Sequence, residues 1–169
     1  MVKREVQTKL VDEVWHDDLE QVVKVHRLVG LLGAPAVGKT TVAHRTAKRL
    51  SGKEPIVLAG GSQIEQHHFF GRDGLRSGET YWIPGALTRA IEEKRWLILE
   101  DIHLIQFDAR SPLLQLATTD SLTNPDTGKV FDVPVAKEDN FEFRVIATSN
   151  AESIRCSRRA VEALSLIHI

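Results

Sequence analysis

The stretch "LVGLLGAPAVGKTTVAHRTAKRL", Leu28 to Leu50, constrains the fold of this chain more than any other segment. Leu28 to Leu32 is a continuous apolar run, the pattern of a strand buried on both faces. Gly33 to Thr40, "GAPAVGKT", reads G-x-x-x-x-G-K-[ST] in full. Val42, Ala43, Ala47 and Leu50 then recur at helical spacing. A buried strand, a glycine-bounded loop and a helix in that order make the loop an anion cradle at the strand's carboxyl end. Gly33 and Gly38 allow backbone angles and a close approach that a side chain blocks, so successive N–H groups face phosphate oxygens. Lys39 reaches the outer phosphates as a mobile point charge, and Thr40 offers a hydroxyl to Mg2+. The candidate nucleotide-contacting residues are thus Gly33, Ala34, Pro35, Ala36, Val37, Gly38, Lys39, Thr40 and Thr41.

The rest of the chain continues the alternation. Asp17 to Arg27 starts acidic and ends basic, as a short helix does. A strand is predicted from Pro55 in "PIVLAG", a helix over Gly85 to Arg95, a strand in "WLILE", and a last strand over Phe141 to Ser149. This predicts an α/β fold: a three-layer sheet of mostly parallel strands with helices on both faces. Two insertions break the rhythm. Gly71 to Ile83 has a Ser-Gly turn between β-formers, and Ser121 to Val135 turns through "NPDTG" with Val130, Asp132 and Pro134 alternating against Phe131, Val133 and Val135. Both read as β-hairpins, and surface decoration is the alternative role for each.

"WLILED" runs a buried strand into two acids, Glu100 and Asp101. Hydrolysis of a bound nucleotide needs Mg2+ held from a neighbouring strand and a water polarised by a base. Glu100 is the candidate for the metal side, partly through water, together with Thr40, and Asp101 for the water. The order is the reverse of the usual Asp-Glu. It displaces each carboxylate by about 1 Å, a misplacement that costs roughly 100-fold in rate, so nucleotide binding with slow turnover is expected. In "RVIATSN", Thr148, Ser149 and Asn150 stand just past a buried strand, where the Asn150 amide can bond both γ-phosphate and water. The candidate catalytic set is Asp101, Glu100, Asn150 and Lys39.

Composition excludes other classes. With 169 residues, 42% hydrophobic and 27% charged, the chain has the size and make-up of one globular domain. A net charge of -1 gives no bulk attraction to nucleic acid or anionic lipid. The lone Cys156 makes no internal disulfide, and no apolar run is long enough for a signal peptide or a membrane span, so a cytoplasmic protein is expected. His67 and His68 lack partners that complete a metal site and read as a solvated or partly packed pair. Trp15, Trp82 and Trp96 read as core or interface aromatics, and the basic residues near Arg49 and in "RCSRR" as solvated faces. Residues 164–169, "LSLIHI", resemble a translated sequencing-adapter end, the alternative being a genuine apolar helix end, so residues 1–163 are expected to be an incomplete core.

On "GAPAVGKTT", "FFGRDGLRSGETYWIPGALTRAIEEKRWLILEDIH" and "FRVIATSN", the chain resembles the AAA+ ATPases of the dynein-related, MoxR-like and midasin-like group, from about Asp17 to Ala163. The resemblance implies ATP and Mg2+ as cofactors and a homo-oligomeric, most often hexameric, ring around a protein substrate or cofactor-bearing partner. It does not indicate nucleic acid or a membrane. It implies remodelling or activation of that partner, with Gly33 to Thr41 as the phosphate loop, Glu100 and Asp101 as the acidic tip, and Asn150 as the first sensor. His103 stands where the group often has Asn. The group's trans-acting arginine would follow a little beyond Ala163, with Arg155, Arg158 and Arg159 near that point, and its helical lid would come later still. The isolated chain is therefore expected to be poorly active. The alternatives are a nucleotide-gated binding module with little hydrolysis and an ATPase subunit of a DNA-acting complex.

Overall fold

The computed structural model describes residues 17–135 and 141–150, and the backbone of 165–168. Helix α1 occupies residues 17–25. The elements that follow are β1 (Leu28–Gly33), α2 (Lys39–Ser51), β2 (Ile56–Ala59), α3 (Gln66–Phe70), β3 (Gly71–Arg76), β4 (Glu79–Pro84), α4 (Ala86–Glu92) and β5 (Leu97–Glu100). After two short 3-10 turns come α5 (Ser111–Thr118), β6 (Ser121–Thr123), β7 (Val130–Asp132), β8 (Val145–Asn150) and β9 (Ser165–His168).

The central sheet has the order β2-β5-β8-β1-β9, and every pairing in it is parallel. All six residues of β1 are buried, as the unbroken apolar run predicts, while the edge strand β2 is only partly covered. Side chains alternate between two core layers. Val29, Leu31, Ile98 and Ile146 pack with Leu19 and Val23 of α1 and Val42, Ala43 and Ala47 of α2. Leu28, Leu97, Leu99, Val145 and Ala147 pack on the other face with Phe69, Phe70, Leu87, Ala90 and Leu113 from α3, α4 and α5. This is the three-layer α/β arrangement expected from the sequence. No helix among the described residues is long and apolar enough to cross a membrane.

Both insertions are hairpins. β3 and β4 pair antiparallel, with Ser77 and Gly78 left-handed at the turn (φ 54° and 84°), the backbone a tight two-residue hairpin requires. In the second hairpin, β6 with β7, the Asn124 side chain accepts the Asp126 N–H at 2.9 Å and nucleates the turn. Phe131 and Val133 are buried and Val130 and Asp132 exposed, as the alternation predicts, but it fails at Val135, which is exposed. The Lys129 ammonium lies 4.9 Å from the ring centroids of both Trp82 and Phe131, so the two hairpins touch through a shared cation.

Three boundaries differ from the sequence expectation. α1 ends at residue 25, because Arg144, 4% exposed, donates to the last-turn carbonyls Val23 O (2.5 Å) and Lys24 O (3.3 Å) and ends the helix. β8 starts at Val145 rather than Phe141. The segment before it is fixed by side chains instead of a ladder, with Trp96 Nε1 donating to Glu142 O at 3.0 Å. α4 stops at Glu92, with Lys94 left-handed (φ 51°) and the Arg95 side chain donating to Glu54 O at 2.6 Å, which turns the chain directly into β5.

Candidate functional site

Parallel register brings three strand ends to one edge. Gly33 lies beside Asn150, and Ala59 beside Glu100. The phosphate loop, the acids and the "TSN" end therefore line one crevice outside the carboxyl ends of the sheet, where open α/β sheets bind ligands.

The loop turns through two left-handed residues, Ala36 (φ 61°) and Gly38 (φ 92°), on either side of Val37. A Cβ on Gly38 would meet nothing within 4 Å, so backbone conformation and not space demands glycine there. Alternating handedness turns successive N–H groups inward as an anion-binding nest. α2 starts directly behind it, with the Val42 N–H donating to Gly38 O at 3.0 Å.

Lys39 is 7% exposed. Its ammonium donates to Gly33 O (3.1 Å), Ala34 O (2.7 Å) and Asn150 Oδ1 (3.3 Å). All three partners are neutral oxygens, so among the described residues a buried positive charge stands at the loop mouth without a carboxylate to balance it. That chemistry suits a polyphosphate. Thr40 and Thr41 are exposed at the helix start and make no side-chain hydrogen bond among the described residues.

Glu100 ends β5, half-buried, with Oε1 3.8 Å from His44 Nε2. His44 lies one helical turn after Thr40 and so on the same face of α2. Asp101 is left-handed (φ 48°, ψ 50°), and its N–H donates to Thr148 Oγ1 at 3.1 Å. Ser149 Oγ and His103 Nδ1 share a hydrogen bond at 3.2 Å. The structure thus joins Lys39 to Asn150, Asp101 to Thr148 and Glu100 to His44.

Gly60, which the sequence reading passed over, supports the acids from the far side. Its N–H donates to Glu100 O at 2.7 Å. A Cβ on Gly60 would lie 2.3 Å from Asp101 O and 2.6 Å from Glu100 O. The signal was present, since a glycine at a strand end marks a close backbone approach. Gly60→Ala is expected to cost about 1–3 kcal/mol or more, because the clash is with backbone and no rotamer relieves it. Denaturant unfolding checks this, and a variant as stable as the parent refutes it.

The remaining candidates are structural. His67 pairs with Glu65 at 3.2 Å, and His68 Nδ1 accepts the Glu65 N–H at 3.0 Å, capping α3. No group of three or more His, Cys, Asp or Glu among the described residues is arranged to hold a metal ion. Lys48 pairs with Glu54 and Arg49 with Glu20. Trp96 is core. Trp15, Arg155, Cys156, Arg158 and Arg159 lie outside the described residues.

The family of AAA domains of the dynein-related subfamily matches residues 29–165. Over 103 residues the chain is 32% identical to midasin of Dictyostelium discoideum, a match covering 59% of this chain and 2% of that protein. The chain thus spans about 2% of the length of this relative. With the family matched across most of its length and a parallel sheet carrying the loop and acids at one edge, the chain belongs to the dynein-related, midasin-like group of AAA-type ATPase domains.

Proposed function

We propose that this chain binds ATP with Mg2+ in the crevice above β1, β8 and β5 and hydrolyses it slowly. One observation carries the reading: the Lys39 ammonium, buried at the loop mouth and held at 2.7 to 3.3 Å, among the described residues, by neutral oxygens alone, one of them from Asn150 on the neighbouring strand. The loop N–H groups and Lys39 bind the phosphates. Thr40 and Glu100 would hold the metal, Glu100 partly through water. Mg2+, where bound, supplies charge neutralisation at the terminal phosphates. Asp101 polarises the attacking water, and Asn150 orients it against the γ-phosphate.

The two hairpins expose Leu75 (75%), Tyr81 (46%) and Val130 (57%), apolar side chains suited to a protein partner. On this reading the cycle remodels or activates such a partner, in the ring of subunits that the family resemblance implies. A second reading, a nucleotide-gated module with little hydrolysis, is favoured by the acid order and by the contact of Glu100 with His44 rather than with Thr40.

Calorimetric titration of the purified, folded chain tests nucleotide binding. Saturable heat with MgATP and MgADP is expected, and no heat with either sinks both readings.

A further inference from the structure

β5 and β8 are paired in parallel as far as Leu99 and Ala147. Two residues later β5 has left the sheet: Asp101 sits at φ 48°, ψ 50°, in a region that non-glycine residues enter at a cost. Past the end of the ladder the Asp101 N–H makes no hydrogen bond to a backbone carbonyl of the described residues. A side chain meets it instead, Thr148 Oγ1 at 3.1 Å. Thr148 is 1% exposed, so water has no access to take the hydroxyl's place. On the opposite side, Gly60 N–H holds Glu100 O at 2.7 Å. The two contacts clamp the peptide unit between the acids.

We propose that Thr148 is a positioning residue for Asp101: its hydroxyl, by accepting the Asp101 N–H, holds the left-handed turn that sets the direction in which the Asp101 carboxylate leaves the strand. This rests on the reading of Asp101 as the group that polarises the attacking water. Without the acceptor, the buried N–H is unpaired and the left-handed conformation loses the contact that stabilises it. The backbone then relaxes toward a right-handed or extended form, either of which swings the Cα–Cβ bond away from its present direction. Two neighbours on the same strand end make parallel contacts, Ser149 to His103 at 3.2 Å and Asn150 to Lys39 at 3.3 Å. The tip of β8 thereby supports the acid turn and the phosphate loop together.

Thr148→Val keeps the shape and removes the acceptor, while Thr148→Ser keeps the acceptor. Steady-state MgATP hydrolysis by the full chain is measured for the parent and both variants, alongside amide hydrogen exchange at Asp101. In Thr148→Val, kcat is expected to fall by about 10- to 100-fold at unchanged KM, with Asp101 N–H exchange at least about tenfold faster as its protection is lost. Thr148→Ser restores both. A parent-like kcat in Thr148→Val, a KM that moves with kcat, or a failure of Thr148→Ser to restore overturns the proposal. A parent turning over no faster than Lys39→Ala sinks the hydrolysis reading itself. The exchange then decides alone: protection lost only in Thr148→Val supports the positioning role, and equal protection in all three overturns it.

Discussion

Lys39→Ala is expected to weaken MgATP binding by about 100-fold or more and to remove turnover. A charge-assisted hydrogen bond contributes about 1.5–3 kcal/mol, and about 1.4 kcal/mol corresponds to a factor of ten in affinity. Two such contacts to phosphate, less the loss of the ammonium's bonds to Gly33 O, Ala34 O and Asn150 Oδ1, leave roughly 3 kcal/mol. Lys39→Arg is expected to recover little. A planar fork does not replace a compact ammonium seated between two carbonyls 2.7 and 3.1 Å away. The measurement is the calorimetric titration, with unfolding curves showing that both variants remain folded. An Ala variant binding within about threefold of the parent would move the phosphate contacts elsewhere, and the nucleotide reading of the loop would fall with it.

The loop and its flanks were legible because their signals are local. A strand buried on both faces writes an unbroken apolar run, and α2 ends where Gly52 (φ 70°) takes the left-handed C-terminal position. The hairpin turn at Ser77-Gly78 was equally local. What escaped depends on distant residues. The stretch Phe141 to Arg144 looks like the start of a strand, yet Arg144 is occupied in capping α1, which no spacing reveals. α3 and α5 went unread because five and eight residues hold too little periodicity. At the site, the residue types were visible and the backbone was not. Neither the left-handed Asp101 nor its bond to Thr148, 47 positions away, follows from the order of letters.

That left-handed turn bears on the reversed acids. Glu100→Asp combined with Asp101→Glu is expected to raise MgATP turnover by about 100-fold, since the first removes about 1 Å of excess reach on the metal side and the second restores about 1 Å on the water side. The backbone opposes part of the gain. Aspartate tolerates φ 48° better than glutamate, because its short carboxyl bonds locally to the main chain. The double variant is therefore expected to lose about 1 kcal/mol of stability. Shortening residue 100 also lengthens the 3.8 Å contact with His44 and frees the carboxylate for the metal side. Single substitutions separate the two effects. Asp101→Glu alone carries the stability loss and most of the rate gain if the water is badly aligned, and Glu100→Asp alone carries the gain if the metal side is at fault. A large rise means the loop binds nucleotide normally and the acid order throttles the cycle, which is how a nucleotide-gated module with residual hydrolysis is built. An unchanged rate in the double variant sinks that account: Glu100 and Asp101 would then be matched to their own backbone, with Thr148 and Gly60 holding a turn that only aspartate fits.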